Sequence, residues 1–479
     1  MLFSASLMRL VSQRRFQVVA RLRKAGAGVR QVRARALLAL AVLNIFVLVA
    51  GVVALDVTGS RPPAAMAYPV ALAEDAPAGA PQDAARVDPE RLADKLDDPM
   101  AESGISEGLS AYVADGITGD PLFDRDADEV LVPASTTKIV TAVAALHAAG
   151  PDERVHTDAV LDGDRVVLVG GGDPTLTAEV DPDRYPRVAT LEELAEDTAT
   201  ALAEQGVTSV SVGYDDTLYP GSDMAPGWKQ GYVDEGSVAP VHALMLDGGR
   251  VYPEQNYSQR VEDPPQVAAD AFAEQLRAAG VDVTGDPEPA DAPDGAEPVA
   301  TVASAPFSAL VEMMMIESDN NIAEAMARQA AIARGLEPSF EGGSEAVESV
   351  LAELGVEVRV DDGSGLSVNN RITAASLVEV LLLAADPDRP DLYFTLSGLP
   401  TAHFTGTLTD RYSAGSSAAG AAGLVRAKTG TLNGVSTLAG TVYDADGRLL
   451  VFAFMANNPA ASGGALDGLA QVLADCGCS

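Results

Sequence analysis

An apolar run fills residues 36–55, where Asn44 is the one strongly polar side chain; a helix of that length crosses a bilayer. The following stretch, 56–103, is rich in Pro, Ala and Asp and reads as an extended linker. From residue 104 the texture changes. Residues 109–115 fit a strand, Gly116 to Gly119 a turn, and 121–126 a short return strand. A helix is then expected from about Ser135. Its apolar positions Ile139, Val140, Ala142, Val143 and Leu146 cover most of its surface, so it should be buried, and Gly150-Pro151 ends it.

Residues 158–300 mix short strands (165–169, 209–212) with helices (191–204, 266–279), and Pro264-Pro265 and the acidic 286–298 read as connections. Helices are expected at 307–317, 321–334, 344–354 and 373–384. The end is β-rich, with strands at 424–429, 437–444 and 448–456. Asp446-Gly447 signals a hairpin between the last two, and a closing helix, 464–473, should lie on that sheet. The plan is thus a basic segment (1–35), an apolar segment (36–55), a linker (56–103), and a body formed by 104–157 plus 301–479. An inserted region, 158–300, interrupts the body.

Charge sharpens this plan. The chain of 479 residues carries a formal charge of −37, yet residues 1–55 hold nine Lys or Arg and no acid, leaving 23 basic against 69 acidic residues beyond them. Positive charge before the apolar run orients it with the N-terminus in the cytoplasm and everything from Asp56 outside. A retained anchor is preferred over a cleaved signal, although Ala65-Met66-Ala67 resembles a cleavage site. So acidic a body repels phosphate backbones and argues against nucleic-acid binding. Cys476 and Cys478 lie too near the end to staple a domain, a bridge between them would be strained, and no further ligands make a zinc site. His147, His156, His242 and His403 show no metal spacing and read as satisfied structural residues, as do Asp173 and Trp228.

Three short motifs carry chemistry. Ser135-Thr136-Thr137-Lys138 puts a hydroxyl and an amine one helical turn apart. At a helix start, backbone N–H groups also face developing negative charge. Only five of the 32 basic residues are lysine. A general base must lose its proton, which lysine does when desolvated and arginine does not. Ser135 is therefore the candidate nucleophile and Lys138 its base. Ser318-Asp319-Asn320 falls between two helices; there Ser318 is expected to relay a proton between Lys138 and a leaving amine, and Asn320 to bond Lys138 or substrate. Lys428-Thr429-Gly430-Thr431 closes a strand expected at a sheet edge. Lys428, Thr429 and Thr431 suit a carboxylate, Gly430 leaves room for substrate, and the Lys428 charge is expected to keep Lys138 neutral.

The order Ser-x-x-Lys, Ser-x-Asn, Lys-Thr-Gly resembles the penicillin-recognising serine enzymes. The 183-residue gap from Ser135 to Ser318 narrows the resemblance to the class C low-molecular-mass penicillin-binding proteins, the D-alanyl-D-alanine carboxypeptidase/endopeptidase family (peptidase S13). Gly170 to Leu176, Asp362 to Ser367 and Gly406-Thr407-Leu408 support it, over roughly 104–479. The resemblance implies an α/β transpeptidase-like fold, with an antiparallel sheet flanked by helices and a mixed α/β insertion. It implies a serine carboxypeptidase needing no cofactor, acting on peptidoglycan stem peptides and acylated by β-lactams. The alternatives are a β-lactamase, which needs fast deacylation, and a catalytically idle wall-binding scaffold.

Overall fold

Along the last strand, Leu449–Ala456, alternate side chains enter two different cores. Leu450, Phe452, Phe454 and Ala456 face one, and Val451, Ala453 and Met455 face the other. A strand buried on both faces has no polar alternation to show, and the helices of the chain supply the two covers. The computed structural model describes residues 84–479 except 103, 104, 106, 256 and 257. The basic segment 1–35, the apolar segment 36–55 and the linker up to residue 83 lie outside the described residues. Among those described, no helix is long and apolar enough to cross a membrane.

In chain order the body begins with α1 (Pro89–Glu102), β1 (Leu109–Asp115), β2 (Pro121–Arg125) and α2 (Thr137–Ala149). The inserted part holds β3 (His156–Asp162), β4 (Arg165–Val169), α3 (Leu191–Glu204), β5 (Ser209–Asp215), α4 (Pro264–Ala278), β6 (Asp282–Val283), β7 (Glu288–Pro289) and β8 (Ala300–Ala303). Four helices follow: α5 (Phe307–Glu317), α6 (Asn320–Ala333), α7 (Phe340–Glu353) and α8 (Ala374–Ala385). The chain ends with β9 (Val425–Leu432), β10 (Val435–Tyr443), β11 (Leu449–Ala456) and α9 (Gly463–Ala474).

The main sheet is antiparallel in the order β2-β1-β11-β10-β9, so β9 is an edge. Strands β9 and β10 turn over two residues, Asn433 and Gly434, and the positive φ of Gly434 (76°) suits glycine. On one face, α2, α5, α6 and α8 build a core with Ala439, Val451 and Met455. Helix α2 lies at its centre, buried from Thr137 to Leu146 as its all-round apolar pattern requires. On the other face lie α1 and α9. The insertion is a second sheet, β6-β5-β4-β3-β8 with β7 also on β5. Helices α3 and α4 cover it.

Four expectations are corrected. Residues 89–102 are not linker. Asp88 Oδ1 accepts from Glu90 N at 3.0 Å at the start of α1, where Pro89 needs no N–H partner, and Leu92, Leu96 and Met100 are buried against the C-terminal elements. Cys476 and Cys478 form a disulfide within that same core, and the Cys478 carbonyl accepts from Asp88 N at 2.9 Å. Pro264-Pro265 opens α4 instead of preceding it, because Asp263 caps Gln266 N at 3.2 Å and the first turn of a helix needs no N–H from proline. The second sheet takes residues from 156 to 303, slightly beyond 158–300. Of the histidines, His242 pairs with Asp216 at 2.6 Å, while His147, His156 and His403 are exposed.

Candidate active site

Ser135 stands on a short 3-10 turn, Ala134–Thr136, that leads into α2. Ala134 holds a positive φ of 49°. The turn sets the half-buried Ser135 hydroxyl over the first turn of α2, where Lys138 is fully buried at 0% exposure. The Lys138 Nζ donates to Ser135 Oγ at 3.2 Å, to Asn320 Oδ1 at 2.6 Å and to the Ser364 carbonyl at 2.7 Å. Three acceptors match the three hydrogens of an ammonium. Asn320 Nδ2 donates to the Ser237 carbonyl at 2.9 Å, which fixes the amide with its oxygen toward the lysine.

Ser318 closes α5 in the left-handed conformation (φ 57°), and Asp319 caps α6 by accepting from Ile322 N at 2.9 Å. Asp319 also accepts from Arg250 of the insertion at 2.5 Å, so this residue holds the turn together. The turn sends the Ser318 and Asn320 side chains to different lysines. Lys428 Nζ donates to Ser318 Oγ at 2.8 Å, whereas Asn320 serves Lys138. The expected contact between Ser318 and Lys138 is thus replaced by one between Ser318 and Lys428.

The Lys428 to Thr431 motif lies inside β9, not at its end. Ala427 N donates outward to the Pro400 carbonyl at 3.0 Å, and Ala402 N to Val425 at 2.9 Å, so residues 400–402 cover the first part of this edge. By strand alternation Thr429 and Thr431 turn their backbone groups to the same outer side, beyond that cover. Thr429 Oγ1 bonds Thr407 Oγ1 at 3.0 Å. Gly430 serves a different purpose from the one expected. A Cβ there would stand 2.1 Å from Thr437 Oγ1, 2.8 Å from the Pro133 carbonyl and 3.0 Å from Ser135 N. Its bareness makes room for the chain carrying Ser135, not for a ligand.

Burial pulls Lys138 down to about 8, against the pull of Asp362, Glu324 and Asp319. Lys428, also fully buried, is brought well below the usual lysine range by loss of solvent and then by the positive charge of Lys138. The repulsion between two ammonium groups is mutual, so each lysine favours the neutral form of the other. Sequence reasoning did not single out Ser364, Glu324, Asp362 or Thr407 as site residues. Three of them stand in the runs that carried the family resemblance, and Glu324, inside a helix, had no such signal.

Among the described residues, no group of three or more His, Cys, Asp or Glu side chains is placed to hold a metal ion. A cavity of about 710 Å³ touched by Arg154, Tyr185, Pro306 and Ala309 lies at the opposite end of α5 from Ser318, and none of Ser135, Lys138, Ser318, Asn320 and Lys428 lines it.

The family model for the D-Ala-D-Ala carboxypeptidase 3 (S13) family matches residues 92–259 and 252–475. The Carboxypeptidase Rv3627c of Mycobacterium tuberculosis is 39% identical over 382 residues, 78% of this chain and 81% of that protein. Carboxypeptidase DacB of Mycolicibacterium smegmatis is 38% identical over 379 residues, 77% of this chain and 81% of that protein. Among solved structures, penicillin binding protein 4 (dacB) from Haemophilus influenzae superimposes with a TM-score of 0.62 at 21% identity, covering 81% of this chain and 98% of that one. It shares the fold.

Proposed function

Because the chain belongs to the D-Ala-D-Ala carboxypeptidase 3 (S13) family, we propose that Ser135 is the nucleophile with which it removes terminal D-alanine from peptidoglycan stem peptides. It is a serine-type D-Ala-D-Ala carboxypeptidase, a peptidase hydrolase. The observation that carries the assignment of the nucleophile is the set of partners around Lys138. A neutral amine keeps two hydrogens and one lone pair. Asn320 Oδ1 and the Ser364 carbonyl have no hydrogen to give, so they take the two N–H groups. The lone pair is left for Ser135, the one partner able to donate.

Ser135 Oγ attacks the penultimate D-alanyl carbonyl as its proton passes to Lys138. The Ser135 and Thr431 backbone N–H groups receive the oxyanion. The substrate carboxylate lies against Lys428, Thr429 and Thr431, and its negative charge restores the Lys428 ammonium. That ammonium, set beside Lys138, favours the neutral form of the base. The Ser318 hydroxyl accepts from Lys428 and turns its own hydrogen to the departing nitrogen; Lys428 replaces that proton. Water then cleaves the ester. Its proton returns to Lys428 by way of Ser318, and Lys138 returns the proton of Ser135, so the cycle closes.

β-Lactams present a carbonyl and a carboxylate in the same relation, and they acylate Ser135. The basic residues 1–35 and the apolar run 36–55 support an anchor that holds this body outside the membrane; N-terminal sequencing of the mature product tests it. For the nucleophile, Ser135→Ala removes labelling by fluorescent penicillin while circular dichroism stays unchanged. Mass spectrometry of the treated wild type finds the adduct on the peptide containing Ser135. A labelled Ser135→Ala protein would eliminate this nucleophile.

A further inference from the structure

The direction of the Lys138 lone pair depends on a carbonyl that belongs to none of the three motifs. That carbonyl, on Ser364, is held by two buried carboxylates. Glu324 on α6 accepts from Ser364 N at 2.9 Å and from Gly363 N at 3.2 Å. Asp362 accepts from Gly365 N at 2.9 Å and Ser367 N at 2.6 Å, and from Asn370 Nδ2 at 2.7 Å. Trp228, from the insertion, closes the ring by donating its indole N–H to Asp362 at 2.7 Å. The turn rests directly on the chain before the nucleophile: a Cβ on Gly365, whose φ is 87°, would stand 1.9 Å from the Ala134 carbonyl.

Burying two carboxylates side by side is costly. Glu324 and Asp362 are 1% and 2% exposed. Burial and the charge of Asp362 push Glu324 up to about 7, with Arg328 opposing. Serine, threonine or asparagine would tie such a turn at lower cost. What carboxylates add is rigidity through charge-assisted bonds, and negative charge next to the ammonium that forms when Ser135 attacks.

We propose that Glu324 and Asp362 are positioning residues for the general base: they clamp the turn at 362–365 so that the Ser364 carbonyl points the Lys138 lone pair at Ser135, with Trp228 as the outer member of the clamp. The inference rests on the reading of Ser135 and Lys138 as nucleophile and base. Were the carbonyl to move, a freed N–H of Lys138 would rotate toward Ser135 and occupy the place the lone pair needs. Glu324→Gln produces that movement. Its amide has one acceptor atom, so one of the two backbone N–H groups loses its partner.

The experiment is the second-order rate of Ser135 acylation by fluorescent penicillin, measured against pH on the full chain. Glu324→Gln is expected to acylate roughly 100-fold more slowly at the plateau, as misplacing a reacting group does. Its acid limb should also move to lower pH. The charged groups facing Lys138 are Asp362, Glu324, Asp319 and Lys428, and those facing Glu324 are Asp362, Arg328 and Lys138. Neutralising Glu324 removes one of the charges that raise Lys138. A merely structural role would lower the folded fraction and leave the plateau rate per folded molecule in place. Trp228→Phe keeps a ring beside Phe340 and loses one N–H, so it slows acylation by a smaller factor, and it tests the clamp even where Glu324→Gln fails to fold. A Glu324→Gln protein with wild-type rate and limb, or a Trp228→Phe protein with wild-type rate, overturns the proposal. An adduct outside the Ser135 peptide in the wild type overturns the underlying nucleophile instead, and does so before any clamp variant is made.

Discussion

Acylation should follow the neutral fraction of Lys138. With this lysine lowered to about 8, about one half is neutral at pH 8, about one tenth at pH 7 and about one hundredth at pH 6. The rate constant for penicillin acylation is therefore expected to rise by up to about tenfold per pH unit below 8, less steeply near pH 7 where Glu324 takes up its proton and ceases to raise Lys138, and to level off above 8. An ordinary lysine near 10.5 would be neutral in only about 3 molecules per 10,000 at pH 7. Burial thus raises the reactive fraction about 300-fold, equivalent to about 3 kcal/mol. For peptide hydrolysis the limb in kcat should lie at lower pH than the limb in kcat/KM. The first reports the enzyme with the carboxylate already on Lys428, and the second reports the free enzyme. Lys138→Arg replaces the amine by a guanidinium that keeps its proton throughout, and should reduce acylation to the level of Ser135→Ala. Timed labelling with fluorescent penicillin from pH 6 to 9, together with steady-state kinetics on an acyl-D-Ala-D-Ala peptide, measures all of this. A flat profile, or a Lys138→Arg protein that labels at a substantial fraction of the wild-type rate, would refute the assignment of the base.

Two further substitutions test the frame around the site. Gly430→Ala places a Cβ where Thr437, Pro133 and Ser135 N already stand, so it should push β9 off the nucleophile turn and lower acylation by about 100-fold; labelling at the wild-type rate would show that β9 and the turn do not need this contact. Leu96→Ala, in the fully buried interior face of α1, should cost about 2–5 kcal/mol in chemical denaturation, and a loss below about 1 kcal/mol would return α1 to the status of a linker.

The elements that were legible in the sequence are those whose signals are local. The strand at 109–115, the helix at 191–204 and the helix at 307–317 were read with their observed bounds, since each begins and ends at a turn or cap in its own sequence. Helix α1 was missed because Pro89 and Pro99 suggested extended chain, and its pairing with α9 is a contact across almost the whole length of the chain. The order of the three motifs disclosed the site. The contacts of Lys138 with Ser135 and Asn320 are those expected, but two other partnerships were not legible: which lysine Ser318 would serve depends on the left-handed turn at residue 318, and the purpose of Gly430 depends on the position of Pro133, nearly 300 residues away. Glu324 carries no local mark, because a glutamate in a helix ordinarily faces solvent.

The insertion is bound into the chemistry at three separate points. Its Ser237 carbonyl holds the Asn320 amide that accepts from Lys138, its Arg250 holds the Asp319 carboxylate between Ser318 and Asn320, and its Trp228 holds the Asp362 carboxylate beneath the Ser364 turn. The first of these bonds stops one step short of Lys138, and the other two hold the turns that carry Ser318 and Ser364. A dispensable appendage would meet the body through exposed, replaceable contacts, whereas Asp319 and Asp362 are buried groups whose loss leaves an unpaired partner. The long stretch between Ser135 and Ser318 therefore builds one wall of the cleft. Through Ser237 and Asn320 that wall fixes one acceptor of Lys138, the base on which the pH profile rests.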